Sequence, residues 1–482
     1  MSAPAAESFP SPPGGFAPAP VPSTRRGSEL ALLLAASAIV ATALVIVDLA
    51  QEQTLRWEIG KYLLSYLVLL AVAHLAIRRF APFADPLLLP IVALLNGLGL
   101  VLIHRLDLSD RQNAMDLGKP IPSPDANQQL MWTAASVAVL VLLLMLLKDY
   151  RTLARYSYTL GLAGLILLLI PIALPDSISR TNGAKLWIRL PGFSLQPGEF
   201  AKILLIIFFA AVLVAKRELF TVAGRKVLGM ELPRPRDLGP ILLVWLVSLA
   251  VLAFETDLGM SLLVFTTVLV MLYVATERVG WLVIGAVLLV ISYLVANAML
   301  SHVQVRTQTW LHPFDDYTNT GFQIGQAMFG LATGGLAGTG LGSGRPGQVP
   351  FAKTDFIIAT IGEELGLIGL AAVLMLYLVF ALRGMRTALA VRDSFGKLLA
   401  AGLAVTLAVQ VFVVVGGVTK LIPLTGITTP FVSYGGSSLL SNYLLLALLI
   451  KISDAARAPA PAKKRAGAPI ADTPTELLRK TI

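Results

Sequence analysis

The chain is punctuated by apolar runs of roughly 20 residues, the length a helix needs to cross the hydrocarbon core of a bilayer. Runs this long and this uniformly apolar do not fit the short alternating segments of a membrane β-barrel. The fold class is therefore all-α, a polytopic membrane protein of about 12 transmembrane helices. The expected spans are residues 30–49, 62–77, 85–103, 130–147, 156–174, 199–215, 239–254, 258–275, 279–299, 355–382, 398–418 and 430–452, with a long outer loop between the ninth and tenth. Composition agrees, since 56% of residues are hydrophobic and only 14% charged, against about 25% charged in soluble domains.

An even number of spans puts both tails on one side of the membrane. The basic residues Arg78, Arg79, Lys148, Arg151, Arg155, Lys216, Arg217, Arg383, Arg386 and Lys397 then fall on that side, which the positive-inside bias makes the cytoplasm. The net charge of +10 is explained by this bias, so no nucleic-acid partner is expected. Residues 1–28, rich in Ala, Pro, Ser and Gly, and the tail 455–482 read as disordered cytoplasmic extensions. The first apolar run reads as an uncleaved span rather than a signal peptide. No internal repeat is visible, which counts against a secondary transporter.

The polar residues of the segments left for the outer side carry both signs of charge: Lys185, Arg189, Glu199, Lys202, Asp257, Asp315, Asp316, Asp355, Glu363 and Glu364. No P-loop precedes a helix on the cytoplasmic side, so the energy for any reaction must arrive inside the substrate. With no cysteine and four scattered histidines, no thiolate or HExxH metal site is available, and any metal needs oxygen ligands.

Several of these residues admit two readings. Gln196-Pro197-Gly198 opens a helix whose unpaired N–H groups, with Arg189 and Lys202 nearby, suit a phosphate; Glu199 and Lys202, at i and i+3, equally suit a pair on a helix surface. The glycines from Gly334 to Gly347 can form a phosphate nest, a lid or an ordinary tight loop. Glu363 and Glu364 lie inside an apolar run, where carboxylates need water or partners. Asp315 and Asp316 alone read as turn chemistry. The segment Thr425–Gly426 to Pro430 and the run Ser433-Tyr434-Gly435-Gly436-Ser437-Ser438 read as a cavity wall.

Four separated segments resemble the SEDS family of RodA, FtsW and SpoVE-like proteins, in the family's order: Gly183 to Arg189 with Gln196 to Lys202; Asp257-Leu258-Gly259; Thr354-Asp355-Phe356-Ile357 with Gly362-Glu363-Glu364-Leu365-Gly366; and Pro430 to Leu439. The likeness starts at about the third span, so residues 29–80 look like an N-terminal addition to a membrane domain of residues 29–454. RodA-type members with such an addition are the nearest match. The resemblance implies a peptidoglycan glycosyltransferase that uses lipid II at the outer face of the bacterial cytoplasmic membrane, beside a class B penicillin-binding transpeptidase. It places the family's catalytic Asp on Asp316, with Asp315 beside it, in the loop 300–354 ahead of Gly321-Phe322-Gln323. Lys353 stands where many members have His.

That chemistry suits the residues. A lipid diphosphate leaves as a stable anion, so cations such as Arg189 and Lys202 matter more than a general acid. Asp316 can take the proton of the attacking sugar hydroxyl. Lys185, Glu199, Asp257, Gln323, Asp355, Glu363, Glu364, Ser433 and Ser437 are the further substrate-binding candidates. No cofactor is required beyond a possible Mg2+ or Mn2+ at the diphosphate. A lipid II flippase and a non-catalytic scaffold for a partner synthase are the alternatives.

Overall fold

Most of the apolar runs fold as the helices their lengths ask for. The computed structural model describes residues 24–52, 57–181, 184–190, 193–217 and 257–459, with short pieces at 226–227, 230–231, 246–247 and 250. The helices are α1 (Arg26–Glu52), α2 (Trp57–Phe80), α3 (Leu88–Asp116), α4 (Asp125–Leu146), α5 (Ser157–Ala173), α6 (Pro197–Ala215), α7 (Leu258–Thr276), α8 (Gly280–Met299), α9 (Ser301–Leu311), α10 (Phe322–Gly334), α11 (Ile357–Ala390), α12 (Ser394–Val418) and α13 (Gly436–Arg457), besides two single turns at Thr152–Arg155 and Asp176–Ser179. All but α5, α9 and α10 are long and apolar enough to cross a membrane, which makes ten among the described residues. The protein is an integral membrane protein. Most of the span expected at 239–254 and the greater part of both tails lie outside the described residues.

Among the boundaries that differ from the sequence reading, three have a clear local reason. The tail expected to end at residue 28 stops sooner, because Arg26 is buried and already helical, bonded to Glu29 and to the carbonyls of Pro82 and Ala84. The last span begins at Gly436 rather than 430, since Phe431 has a positive φ of 66° that a helix excludes; it runs to Arg457, whose guanidinium bonds Asp85 at 2.6 Å, so the C-terminal extension starts after 457. The loop 300–354 is not irregular throughout, for it carries α9 and α10.

α3 sits at the centre, with 89% of its membrane-length stretch buried, whereas α8 has 11%. α1 packs on α3, α4 on α13, α5 on α6, and α11 on α12. The connections meet at two ends. At one, Arg151 pairs with Asp393 at 3.2 Å and Ser453 Oγ accepts from Asp85 N at 2.8 Å. At the other, the loop-rich end, Lys353 bonds Asp107, Trp310 bonds the Lys420 carbonyl and Gln196 N donates to Ser437 Oγ.

α11 is interrupted at Gly366, where φ 68° and ψ −173° suit only glycine. The glycine segment docks on the break. Thr339 N donates to Glu363 O at 2.9 Å, Gly340 N to Glu364 O at 3.0 Å, Leu367 N to Gly335 O at 3.0 Å and Ile368 N to Leu336 O at 3.1 Å. Freed backbone groups at membrane depth must be satisfied by protein, and residues 335–340 do this.

Candidate active site at the loop-rich end

Pro197 opens α6 and brings Glu199 into its first turn. Lys202 Nζ lies 2.5 Å from Glu199 Oε2 and 3.0 Å from Gln410 Oε1, while Ser441 Oγ donates to Glu199 Oε2 at 2.8 Å. The i, i+3 pair exists, but it is interior rather than on a helix surface: both side chains are at most 5% exposed, between α6, α12 and α13. Gln410 also donates to Thr428 O at 2.9 Å, which ties the pair to the loop before α13.

A second polar group, with Asp257 buried and Arg306 and Asp355 half-buried, joins three loops. Asp257 caps α7 by accepting from Met260 N at 2.8 Å. Arg306, on α9, donates to Thr425 O at 3.0 Å and Leu424 O at 3.4 Å. Burial lowers the pKa of Arg306 against the opposing pull of Asp257 and Asp355. Burial pushes Asp355 up to about 6, with the nearby Arg306 charge holding it lower than burial alone would.

Glu363 and Glu364 are buried on α11, and a partner meets each. Glu363 Oε1 accepts from Arg345 N at 2.6 Å. Glu364 Oε1 accepts from Arg105 Nε at 2.8 Å, and Arg105 Nη2 reaches Gly344 O at 2.8 Å. The glycine tract thus wraps the two carboxylates and pairs its own N–H groups with α11, so the phosphate nest open in the sequence is not what its segment 335–340 forms. Beside it, Lys353 Nζ sits 2.6 Å from Asp107, 2.7 Å from Asp110 and 2.7 Å from Asp125. Among the described residues no group of three His, Asp or Glu side chains is placed to hold a metal ion; this convergence of three carboxylates is filled by an ammonium.

Asp316 lies in the turn between α9 and α10. Its carboxylate accepts from Asn319 Nδ2 at 2.9 Å, Thr320 N at 3.2 Å and Thr320 Oγ1 at 2.9 Å, and these bonds, that of Asn319 foremost, hold its pKa below the usual range. Gly321 closes the turn: a Cβ there would lie 1.8 Å from Pro313 O. The Tyr317 ring packs at a tilt on Phe322 at 5.7 Å and edge-on to Phe329 at 6.1 Å. Asp315 is exposed, and Gln323 is half-buried in the first turn of α10.

The structure therefore pairs Glu199 with Lys202, and sets Arg306 within electrostatic reach of Asp257 and Asp355. Among the described residues, Asp316 makes no hydrogen bond or ion pair with any of these. Arg189 is exposed on the hairpin Ile188–Leu190 with Phe193–Leu195, opposite Ser194, and Lys185 pairs with Asp176 at 2.6 Å. Ser433 Oγ donates to Thr354 O at 2.6 Å and accepts from Thr429 N; Ser437 Oγ accepts from Gln196 N at 2.9 Å. Both serines fasten loops to one another. Arg105, Asp107, Arg306 and Gln410 were missed by sequence reasoning. Arg105 and Asp107 sit just past an expected span end, and only the length of α3 shows that they remain inside the bundle.

Residues 86–458 match the family model of FtsW, RodA and SpoVE cell cycle proteins. The chain belongs to this family. Relatives of the FtsW/RodA/SpoVE chain include the peptidoglycan glycosyltransferase RodA of Mycobacterium tuberculosis, 58% identical over 96% of this chain and 97% of that protein. The RodA of Mycobacterium leprae is 57% identical over the same shares. The probable peptidoglycan glycosyltransferase FtsW of Geobacter metallireducens is 36% identical over 63% of this chain and 79% of its own length. Among solved structures, a peptidoglycan synthase complex coordinating polymerization and crosslinking has a chain with TM-score 0.58 and 26% identity, covering 77% of this chain and 97% of that one. The rod shape determining protein RodA of Thermus thermophilus gives a TM-score of 0.51 at 25% identity, covering 78% and 98%. The family model starts at residue 86, past α1 and α2, while the likeness to mycobacterial RodA covers 96% of the chain. Most of α1 and α2 therefore belongs to what the chain shares with that protein.

Proposed function

We propose that this chain polymerises lipid II into peptidoglycan glycan strands for cell elongation, at the outer face of the cytoplasmic membrane. Full-length likeness to proteins named peptidoglycan glycosyltransferase RodA carries the reading. The loop-rich end faces outward in this account, and both tails are cytoplasmic. The 4-hydroxyl of the acceptor sugar attacks the donor's anomeric carbon, the bond to the diphosphate oxygen breaks, and undecaprenyl diphosphate departs with inversion. The hydroxyl proton passes to Asp316, whose three hydrogen bonds keep it ionised and accepting at neutral pH. Lys202, Arg189 and Arg306 supply positive charge near the departing anion. A Mg2+ or Mn2+ ion arriving on the diphosphate belongs to the same proposal.

A transpeptidase partner follows from the likeness to a complex that couples polymerization to crosslinking; a class B penicillin-binding protein is the expected one. The test is polymerisation of labelled lipid II by the purified chain, with and without that partner and each metal, comparing Asp315→Ala with Asp316→Ala. Glycan made by the wild type and by Asp315→Ala, but not by Asp316→Ala, supports the reading. Lipid transfer across liposomes with no polymer under any condition means a flippase, and polymer from the partner alone, unaffected by either substitution, means a scaffold.

A further inference from the structure

The family model leaves out α1 and α2, yet the end of α1 reaches the glycine loop that wraps Glu363 and Glu364. Val47, Ala50 and Gln51 lie at i, i+3 and i+4, on one helix face. That face meets Gly342. A Cβ on Gly342 would lie 2.7 Å from Ala50 Cβ and 3.4 Å from Val47 O, and its φ of +83° is itself a glycine conformation. Gln51 Nε2 donates to the Gly342 carbonyl.

Two routes run inward from this contact to adjacent carboxylates. Along the loop, Gly344 packs so close to Glu363 that a Cβ would lie 3.0 Å from Oε1, and Arg345 N donates to that same oxygen at 2.6 Å. Along α3, Asp48 of α1 pairs with His104 at 2.9 Å, Tyr62 of α2 sets its ring edge-on to His104 at 5.3 Å, and the next residue, Arg105, holds Glu364 and Gly344 O. Asp48, His104, Arg105 and Glu364 are all buried. Packed chains of this kind hold a site in one geometry because interiors are close-packed and cannot deform smoothly.

We propose that the last two turns of α1 are a positioning element for the loop 340–345 and, through it, for Glu363 and Glu364, with Gln51 the positioning residue at its tip. The proposal rests on the polymerase reading only for its kinetic consequence. Gln51 touches no reacting atom; it holds the loop that covers Glu363 and Glu364.

The experiment compares wild type with Gln51→Ala, Gln51→Lys, which restores a donor of similar reach, and Ala50→Leu, which pushes on Gly342 without removing a hydrogen bond. Two readouts are taken from full-length protein in detergent: amide exchange of residues 340–345, and kcat and KM for lipid II polymerisation. Gln51→Ala and Ala50→Leu are expected to speed exchange in that loop and to lower kcat about ten-fold with KM changed less than two-fold, since small misplacements from a distance cost rate; Gln51→Lys returns toward wild type. Unchanged exchange in the loop, or faster exchange spread evenly through α1 to α3, overturns the proposal, as does wild-type kcat in Gln51→Ala. Exchange needs no activity. A wild type that makes no polymer thus sinks the functional reading alone, and the loop readout still decides whether α1 braces it.

Discussion

Arg105 on α3 donates through Nε to Glu364 Oε1 on α11 at 2.8 Å, and both side chains are at most 3% exposed. The pair joins the central helix to the one broken at Gly366. Removing one member strands a buried charge, which costs about 3–5 kcal/mol, whereas removing both charges leaves packing to be repaired. Arg105→Met is therefore expected to destabilise strongly and Arg105→Met/Glu364→Met to recover part of the loss. Thermal unfolding in detergent checks this; equal losses in the single and double variants would contradict it.

Among the described residues, Lys353 supplies the ammonium that meets Asp107, Asp110 and Asp125. Burial opposes its charge, but bonds to the three carboxylates outweigh this and raise its pKa. Its stabilisation is complete below the ordinary lysine pKa and is lost only as pH rises through the higher folded value, so wild type is insensitive to this group from pH 5 to 8. In Lys353→Met the three carboxylates face one another without the ammonium between them, and their mutual repulsion grows as they ionise. The variant's deficit should then be small near pH 4 and grow toward pH 7. A deficit independent of pH would mean that Lys353 acts through packing alone.

Asp355 carries a signature of the same sign, but within the neutral range. Its folded pKa of about 6 exceeds the ordinary carboxylate value, about 3.9. Its contribution is therefore fully present below the unfolded pKa and lost as pH rises through 6. Melting temperature should fall between pH 5 and 7 in wild type, and Asp355→Asn should flatten that slope. The same slope in both proteins would assign it elsewhere.

Asp316 differs again, since Asn319 and Thr320 hold its pKa low. Polymerisation should show no acid limb from this group above about pH 4. Asn319→Ala with Thr320→Val removes both side-chain donors, so the limb should move upward while activity at pH 8 is largely kept. A profile that does not move would separate Asp316 from the proton transfer.

Much of this architecture could be read from residue patterns, because a bilayer demands long apolar helices and the chain supplies them. Individual partners could not be read. Arg105 and Asp107 look solvated where a span should end, until α3 is seen to continue to Asp116. Glu363 and Glu364 announced a polar environment, since carboxylates at that depth need one, but their partners come from positions 105 and 345, and no local spacing encodes contacts so distant in sequence. The glycine tract was ambiguous for a related reason. Glycines permit a nest, a lid or a docked backbone alike, and the choice depends on the break in α11 that receives them.

That break gives the last prediction. Gly366 has a positive φ, and a Cβ there would lie 2.3 Å from Gly338 N and 2.5 Å from Leu336 O, both backbone atoms that cannot swing aside. Gly366→Ala meets conformational strain of about 1–3 kcal/mol and also forces residues 336–338 away from α11. The backbone bonds from Thr339, Gly340, Leu367 and Ile368 would weaken together, and Glu363 and Glu364 would lose the loop that covers them. By contrast Gly335 has open space around its Cβ position and only its own φ of +52° to accommodate, so Gly335→Ala should be milder. Gly366→Ala should thus lower the melting temperature more than Gly335→Ala and open residues 335–340 to amide exchange. Similar protection in the two variants would show that the loop holds its shape without the close approach at Gly366.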